Sequence, residues 1–421
     1  MQDPLEYLYG LNSLNIRLGL GPISSLLDRL NNPHETYGTV LIGGTNGKGS
    51  IAAMVASILE KGGFRVGLYT SPHLTDIRER IRVNGRMITR EEMASCVEDV
   101  RKEVREDITY FECLTAVAFL HFCRVRIHVA VLEVGMGGRL DATNVVKPYV
   151  SVVSNISLDH RTYLGNSLEA IAREKGGIVK KRGVCITAAK QRRVINVLED
   201  ICLQRGATLL RLGRDMKVEI KRNGTFSYRG LGEGYRDLIC PLMGRHQIEN
   251  AALAIGAIES MWGKGFDIDG GTIVRGLRNT QWEGRLEILQ RDPTIIVDGA
   301  HNPAGISALC GALKSEFEYK RLILIFGVLN DKDYGAMLRR IVPLADHLII
   351  TRPQTDRAMP PGKIEPVASR YTRQGIEVIE NSLDALKRAI SLAGVNDLIC
   401  VTGSLYLVGE IKQAFIITPA L

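Results

Sequence analysis

The sequence lacks the features of membrane, secreted and disulfide-rich proteins. No run approaches the roughly 18 uninterrupted apolar residues that a membrane-spanning helix requires, and the first residues, "MQDPLEYLYG", do not have the basic and then apolar order of a secretory signal. The eight cysteines form no CxxC pair, and several lie in apolar runs such as "DLICVTGS", which argues against both disulfides and a zinc site. Fixed-period repeats and low-complexity tracts are also absent. We therefore expect a cytoplasmic globular protein that has no membrane partner.

The length and the charge leave several classes of protein open. A chain of 421 residues predicts two or three domains, and a hydrophobic content of 45% is enough for at least two buried cores. The net charge of +8 arises from 54 Lys and Arg residues against 46 Asp and Glu residues, and these charges are spread along the chain. Such a distribution indicates a solvated surface or an anionic small substrate, and we expect no nucleic acid partner.

Short apolar runs alternate with helical patterns, which is typical of βαβ units around mostly parallel sheets. "TVLIG" at residues 39–43 predicts a strand, and the apolar residues after it recur at helical spacing until the glycines at residues 62–63. "FRVGLYTSP", "IHVAVLEVG" and "YVSVVSNIS" predict further buried strands. The more polar stretch "DMKVEIKRNGTFSYRG" predicts an antiparallel hairpin appended to this unit.

The strand pattern restarts near residue 294 and predicts a second α/β domain. The predicted strands lie in "TIIVDGAHNP", "RLILIFGVLND", "HLIITRP", "IEVIEN" and "DLICVTGSLY". The join falls near "QWEGRLEILQRDP", because the preceding helical pattern ends near Arg278 and the new strands begin after Pro293. We therefore expect a P-loop-type domain with a mostly parallel sheet and the appended hairpin over residues 1–284. A smaller Rossmann-like α/β domain is expected over residues 285–421.

The stretch "LIGGTNGKGSIAAMV" at residues 41–55 places a glycine-rich turn between a predicted strand and a predicted helix. In that context backbone N–H groups and the helix N-terminus favour an anion, so Lys48 is placed to hold the outer phosphates of a nucleotide. The pattern is irregular, because Gly49 intervenes before Ser50 and Ile42 occupies the position of the usual first glycine. The alternative is a glycine turn with a solvated lysine.

Polar side chains at other predicted strand ends indicate a metal beside the nucleotide. Ser71, Glu133 and the pair Asp159 and His160 all follow apolar runs, and hard oxygen ligands suit Mg²⁺. A carboxylate such as Glu133 is costly to bury unless it is paired or bound to a metal. His160 is equally well explained as a hydrogen-bonding residue. Lys175, in "AREKGGIVKK", resembles an ordinary surface lysine.

Ten motifs in order along nearly the whole chain resemble the folylpolyglutamate synthase and dihydrofolate synthase family, a branch of the Mur ligases. They are "GTNGKGS", "YTSPHL", "LEVGMGGRLDATN", "LDHRTYLG", "EKGGIVK", "GRHQIENAALA", "WEGRLE", "DGAHNP", "FGVLNDKD" and "TGSLYLVGE". The residue between the lysine and the hydroxyl of the phosphate loop is this family's own form.

The resemblance implies a site in which ATP lies between the two domains. The ATP-binding residues that it implies are Thr45, Asn46, Gly47, Lys48, Gly49, Ser50, Asn250, Arg285, Asp298 and His301. Two Mg²⁺ ions are implied beside Ser71, Glu133, His160 and Lys175, the last as a CO₂-derived carbamate. Lys48, Lys175 and His301 are the implied catalytic residues. The implied pteroate-binding residues are Arg17, Leu18, Gly19, Thr109, Tyr110, Phe111, Glu112, Leu140, Asp141 and Ala142, with the loop after Pro72 as a cover.

The implied activity is ATP-dependent addition of L-glutamate to dihydropteroate, to folate tails or to both. It proceeds through an acyl phosphate and releases ADP and phosphate, and the implied enzyme is a monomer that binds small molecules only. A Mur-type ligase with another carboxylate substrate and a P-loop small-molecule kinase are the alternatives. A GTPase-like switch requires an NKxD motif, which "LNDKD" at residues 329–333 does not match.

Overall fold

The computed structural model describes residues 4–11, 19–232, 234–372 and 375–417, the side chain of residue 417 excepted. Its contacts divide the chain into two units. Unit 1 comprises Met1–Pro72, Arg78–Pro241 and Ile248–Gln281, and unit 2 comprises His73–Ile77, Leu242–Gln247 and Trp282–Leu421. Within the described ranges, no helix combines the length and the apolar character that crossing a membrane requires. The eight cysteines are free thiols.

Unit 1 contains a large sheet, a small sheet and the helices around them. Its strands are β1 (Gly38–Gly43), β2 (Val66–Tyr69), β3 (Ile81–Val83), β4 (Arg86–Met87), β5 (Val129–Glu133), β6 (Val150–Val153), β7 (Val184–Thr187), β8 (Thr208–Arg211), β9 (Lys217–Ile220), β10 (Phe226–Arg229) and β11 (Tyr235–Leu238). Its helices are α1 (Pro4–Gly10), α2 (Gly21–Arg29), α3 (Lys48–Lys61), α4 (Arg90–Glu103), α5 (Tyr110–Arg124), α6 (Arg161–Leu164), α7 (Leu168–Gly176), α8 (Arg192–Arg205), α9 (Arg245–Glu259), of which residues 245–247 fall in unit 2, and α10 (Gly270–Arg278).

The large sheet has the strand order β4-β3-β2-β5-β1-β6-β7-β8. β3 and β4 form an antiparallel edge, and the other six strands are parallel. β1 lies between β5 and β6, with Leu41 opposite Leu132 on one side and Ser151 on the other. From β1 the chain continues to β2, which lies on the β5 side of β1. It later crosses from β5 to β6, which lies on the other side of β1. The carboxyl ends of these four strands therefore surround a crevice at the point where the strand order reverses.

Helix α3 covers this sheet because its apolar residues recur on one face. The side chains of Ile51, Met54, Val55, Ile58 and Leu59 are all 0% exposed, as the helical spacing predicts. Each such side chain contributes roughly 1.5–3 kcal/mol when it leaves water, which makes α3 a firm support for the loop that precedes it.

The predicted hairpin is part of a three-stranded antiparallel sheet, β11-β10-β9. β9 and β10 pair through a turn at Asn223–Gly224, as predicted. The third strand was not predicted, because β11 is a short segment with two exposed charged residues in its middle. Glu259 on α9 holds the connection between β10 and β11, since its carboxylate accepts hydrogen bonds from Tyr228 Oη (2.8 Å) and Leu231 N (2.9 Å).

Unit 2 is a second α/β domain with one sheet, of order β12-β13-β17-β14-β15-β16. Its strands are β12 (Glu287–Gln290), β13 (Thr294–Asp298), β14 (Leu322–Phe326), β15 (His347–Ile350), β16 (Ile376–Val378) and β17 (Leu398–Thr402). Its helices are α11 (Pro303–Ser315), α12 (Tyr334–Ile341), α13 (Pro361–Ala368), α14 (Ser382–Leu392) and α15 (Leu405–Ile417). The five predicted strands are present and parallel, and they confirm the predicted fold class.

Two features of unit 2 were not predicted. β12 pairs antiparallel with β13 and begins at Glu287, so the strand series starts before Pro293 and not after it. The short segment His73–Ile77, which follows Pro72, packs with unit 2. There Leu74 joins the apolar cluster under the sheet and lies against Gly409, where a Cβ atom would collide with the Leu74 carbonyl oxygen.

Candidate active site

The loop from Gly44 to Gly47, here called the phosphate loop, connects β1 to α3 at the crevice of unit 1. Gly44 has φ +125° and Gly47 has φ +85°, in the region that residues with a Cβ rarely adopt. A Cβ atom on Gly44 would collide with Ser154, and one on Gly47 would lie 2.5 Å from Asn250 Oδ1. Both glycines are therefore required by the backbone conformation and by a close neighbour.

The residues after β6 hold the phosphate loop in place. Thr45 N donates to the Asn155 carbonyl (2.8 Å), Asn46 N donates to Asn155 Oδ1 (3.1 Å), and Ser154 Oγ donates to the Asn46 carbonyl (2.6 Å). Ser157 N donates to Thr45 Oγ1 (3.0 Å). These residues were not predicted from the sequence, although the mostly polar run "SNIS" directly after an apolar strand indicates such a loop.

Lys48 occupies the first position of α3, where the helix N-terminus carries a partial positive charge. Its Nζ donates to the Thr45 carbonyl at 3.2 Å, so the ammonium lies over the loop. Thr45, Gly49 and Ser50 are buried, while Asn46, Gly47 and Lys48 are half-buried. The arrangement places the Lys48 ammonium at the N-terminus of a helix, which suits a phosphate group.

Glu133 ends β5 and Ser71 follows β2, and the structure brings them together. Glu133 is 5% exposed, and its Oε2 accepts a hydrogen bond from Ser71 N at 3.1 Å. Asp159 and His160 follow β6, where Asp159 Oδ1 accepts from His160 N (2.9 Å) and lies 3.9 Å from His160 Nε2. Glu133, Asp159 and the Ser71 hydroxyl are hard oxygen donors, which is the ligand chemistry that Mg²⁺ prefers.

Among the residues that the structure describes, no three His, Cys, Asp or Glu side chains are grouped as a metal site. The expected set contains only two residues of these types, Glu133 and His160, beside Ser71 and the modified Lys175. Magnesium keeps several waters and binds substrate phosphates, so a site with few protein ligands is usual for this ion.

Lys175 is not a surface lysine, and the interpretation from its local sequence was wrong. The residue is 4% exposed. Its Nζ donates to the Gly44 carbonyl at 2.8 Å, at the start of the phosphate loop. Burial, reinforced by the charge of Lys48 and opposed by Asp159 and Asp141, lowers the pKa of Lys175 to about 7.

Several implied pteroate-binding residues have local structural roles. Thr109 and Glu112 form a capping box at the start of α5, in which Glu112 Oε2 accepts from Thr109 N (2.9 Å) and Oγ1 (2.7 Å). Asp141 caps a short helical turn by accepting from Thr143 N (3.0 Å), and burial raises its pKa.

The remaining residues of the implied pteroate set lie around these two caps. Tyr110 lies beside Arg80, whose guanidinium carbon is 5.7 Å from the ring centroid, and Phe111 is half-buried against Gly135. Leu140 is half-buried and Ala142 buried, while Arg17 and Leu18 lie outside the described residues, which resume at Gly19.

Unit 2 contains Arg285, Asp298 and His301, three of the residues that the resemblance implies for ATP. Asp298 ends β13, where its carboxylate accepts from Leu286 N and Ala300 N, each at 2.9 Å. Burial raises the pKa of Asp298 against the opposing charge of Arg285. Arg285 Nη1 donates to the Gly284 carbonyl (3.3 Å), and His301 Nδ1 lies 2.8 Å from the Gly299 carbonyl oxygen. These three residues thus share one edge of the sheet of unit 2.

Comparison with known proteins supports the resemblance over almost the whole chain. The Mur ligase middle domain matches residues 42–258, and the Mur ligase glutamate ligase domain matches residues 284–405. The dihydrofolate synthase/folylpolyglutamate synthase of Bacillus subtilis is 32% identical over 425 residues, which cover 98% of each chain. A probable bifunctional folylpolyglutamate synthase/dihydropteroate synthase of Haloferax volcanii is 34% identical, over 98% of this chain and 50% of that protein. The chain therefore spans about half the length of the Haloferax relative.

Solved structures share the fold. The Mycobacterium tuberculosis folylpolyglutamate synthase in complex with ADP has a TM-score of 0.92 at 33% identity, over 98% of both chains. The bifunctional folylpolyglutamate synthase/dihydrofolate synthase of Yersinia pestis, with AMPPNP and manganese, has a TM-score of 0.88 at 27% identity, over 98% of this chain and 97% of that one. The chain therefore belongs to the folylpolyglutamate synthase and dihydrofolate synthase family of Mur ligases, enzymes that form carbon–nitrogen bonds.

Proposed function

We propose that this chain is an ATP-dependent ligase that joins L-glutamate by an amide bond to dihydropteroate, to folate tails or to both. The observation that carries the proposal is the phosphate loop, with Lys48 at the head of α3 and the Lys175 amine on the carbonyl of Gly44. The names of the relatives supply the reaction class, and the solved neighbours hold ADP, or AMPPNP with manganese.

In the first step the acceptor's carboxylate attacks the γ-phosphorus of ATP, which forms an acyl phosphate and releases ADP. A carboxylate is a poor electrophile, and the phosphoryl group gives it a good leaving group. Negative charge spreads over the phosphoryl oxygens as the group moves. The Lys48 ammonium and the N-terminus of α3 would stabilise that charge.

The residues beside the phosphate loop fit a divalent metal. Glu133 is a buried carboxylate whose Oε2 accepts a backbone N–H, and a cation would offset the cost of its burial. Ser71, Glu133 and His160 would hold Mg²⁺, two ions in all, together with phosphate oxygens and water. When bound, magnesium neutralises charge on the phosphates and orients them for in-line transfer.

Lys175 would supply a further anionic ligand as a carbamate. The neutral amine is the form that adds CO₂: a nitrogen–carbon bond forms and one proton leaves the nitrogen. A pKa of about 7 keeps a large share of the buried amine neutral at physiological pH. An unmodified ammonium at this position would instead repel a metal ion.

In the second step the α-amine of glutamate attacks the acyl phosphate carbon. The tetrahedral intermediate collapses, phosphate leaves, and the amine gives up a proton to form the amide. The segments around Thr109–Glu112 and Leu140–Ala142 would hold the acceptor, with Gly19 and, outside the described residues, Arg17 and Leu18. Arg285, Asp298 and His301 of unit 2, with Asn250 of unit 1, would complete the contacts to ATP.

The test is a set of reactions with purified protein, ATP, magnesium and glutamate, in which either dihydropteroate or a reduced folate is the acceptor. Released phosphate and product mass are measured. We expect phosphate release that requires both glutamate and acceptor, and a product heavier by one glutamyl residue. Release of ADP without glutamate, with a phosphorylated product, would identify a kinase instead. Comparison of the two acceptors decides between dihydrofolate synthesis, tail extension and both.

A further inference from the structure

Lys412 is a buried lysine on α15 with two carboxylate partners. It is 7% exposed, and its Nζ lies 2.8 Å from Glu283 Oε2 and 2.7 and 2.8 Å from the two oxygens of Glu287. An ammonium is costly to bury without such partners. Of the two carboxylates, Glu287 is the more enclosed, with a side chain 26% exposed against 56% for Glu283. The contacts therefore fix the positions of both carboxylates relative to α15.

The two partners bracket Arg285, with one residue between it and each of them: Glu283, Gly284, Arg285, Leu286 and Glu287 follow one another. Glu287 also accepts a hydrogen bond from Gly284 N at 2.6 Å, which closes the turn. Gly284 has φ +69° and Leu286 has φ +47°. A leucine in this region is strained and persists only where surrounding contacts hold it.

The last residue of β13, Asp298, and the residue after it, Gly299, also hold this turn. Gly299 N donates to the Gly284 carbonyl (2.9 Å), and Leu286 N donates to Asp298 Oδ2 (2.9 Å). The backbone is therefore held before Arg285 by Gly299 and after it by Asp298. Lys412 holds the two side chains at the ends of the turn, Glu283 and Glu287.

One face of α15 packs against this turn. Leu405, Val408 and Lys412 recur at helical spacing, and the first two lie close to the turn and to β13. A Cβ atom on Gly284 would lie 3.4 Å from Val408 Cγ1, and one on Gly299 would collide with both Leu405 and Arg285. The helix therefore contacts the turn by packing as well as by charge.

We propose that Lys412 is a positioning residue that holds the Glu283–Glu287 turn so that Arg285 is presented to the nucleotide. The inference rests on the proposed function, in which Arg285 contacts ATP. Lys412 itself lies against carboxylates of its own chain, so it acts on the ligand only through the turn. No motif in the sequence singled out this lysine.

The test is a double-variant cycle read by ADP affinity, measured by calorimetry on the full chain. Lys412→Met keeps the length of the side chain and removes its charge, and we expect it to weaken ADP binding about tenfold because the turn is released. In an Arg285→Ala background the same change should cost less than about twofold, since the residue that it positions is gone. Glu287→Gln, which keeps an acceptor for Gly284 N, should show the same dependence with a smaller loss.

Arg388→Met is the matched control, because it also removes one member of an ion pair in unit 2. Its guanidinium pairs with Glu377 at 2.8 and 3.0 Å, away from the turn, and the variant should bind ADP as the parent does. If Lys412→Met does not fold, the same cycle with Glu287→Gln in place of Lys412→Met tests the inference. Equal losses of ADP affinity with and without Arg285 would overturn this inference and leave the proposed function standing. A parent protein that binds no nucleotide would overturn the proposed function and the inference together.

Discussion

The side-chain nitrogen of Lys175 lies 2.8 Å from the carbonyl oxygen of Gly44, so a buried amine on α7 contacts the first residue of the phosphate loop. Burial and the charge of Lys48 lower the pKa of this amine to about 7. Its charge therefore changes near neutral pH, where an exposed lysine remains fully protonated. Chemical modification of Lys175 and phosphate binding at the loop should consequently affect each other.

Lys175→Ala should be nearly inactive, and a short carboxylic acid added to the variant should restore part of the activity by replacing the carbamate. After acid treatment of the parent, reactivation at a fixed CO₂ concentration should be about tenfold faster at pH 8 than at pH 6, since the neutral fraction of an amine with a pKa near 7 rises by that factor. Activity and intact mass check both results. A free ammonium in clear density beside bound magnesium would contradict the carbamate.

Lys48→Ala should abolish ATP-dependent amide formation, with a loss of at least about 100-fold in turnover, because in the proposed mechanism its ammonium faces the transferred phosphate. The fold should survive, since the side chain is not part of the core. Turnover, circular dichroism and the unfolding midpoint are measured. Lys61→Ala, at the exposed far end of α3, is the control and should behave as the parent does. Near-normal turnover in a folded Lys48→Ala variant would remove this lysine from the mechanism.

Arg285→Ala should raise the KM for ATP and lower turnover, because a guanidinium that pairs with phosphate contributes charge-assisted hydrogen bonds. We expect a rise in KM of about tenfold, measured by steady-state kinetics. Arg291→Ala, an exposed arginine shortly after the turn, provides the comparison. A loss confined to the KM for glutamate would show that Arg285 serves the amino acid and not the nucleotide.

Gly47→Ala and Gly63→Ala separate the cost of backbone conformation from the cost of crowding. Both glycines have φ near +85°, but a Cβ on Gly63 meets nothing within 4 Å, while one on Gly47 lies 2.5 Å from Asn250 Oδ1. Gly63→Ala should cost about 1–2 kcal/mol of stability and leave activity unchanged. Gly47→Ala should cost more and also weaken ATP binding. Urea unfolding and nucleotide titration measure the two effects. Equal behaviour of both variants would show that crowding against Asn250 adds no cost at Gly47.

His34→Phe should reduce the loss of stability in mild acid. Burial lowers the pKa of His34 below its ordinary value of 6.5, with Glu35 and Asp28 opposing the shift and Lys147 adding to it. The unfolded chain then binds the proton more tightly than the folded protein, so this stabilisation is present above pH 6.5 and declines as the pH falls below it. Phenylalanine keeps the stacking on Phe119 and cannot bind a proton. Urea unfolding at pH 7.5 and 5.5 should show a larger drop for the parent, and equal drops would contradict this account.

The buried parallel strands could be predicted from the sequence because both of their faces are covered, which makes them near-continuous apolar runs. β1 and β17 are examples, and each is followed by small or polar residues at the edge of its sheet. The phosphate loop and Glu133 were found for the same reason, since their positions follow directly from these strands.

Two edge strands and two buried lysines could not be predicted, because their positions depend on partners that are distant in the sequence. β11 and β12 are short and contain charged or polar residues, so no pattern distinguishes them from loops. Lys175 lies in a polar helical stretch, and the Gly44 carbonyl that its side chain contacts is 131 residues away. Lys412 lies in an apolar helix and meets its carboxylates 125 and 129 residues away.

The position of Leu74 limits how this protein can be dissected. The backbone passes between the two units five times, and the short segment His73–Ile77 supplies an apolar side chain to unit 2. A fragment that begins at Trp282 would lack this leucine and leave a gap beside Gly284 and Gly409. Exchange of the glutamate ligase unit between relatives at a single splice site would leave the same gap, so a functional chimaera must move three separate pieces of chain together.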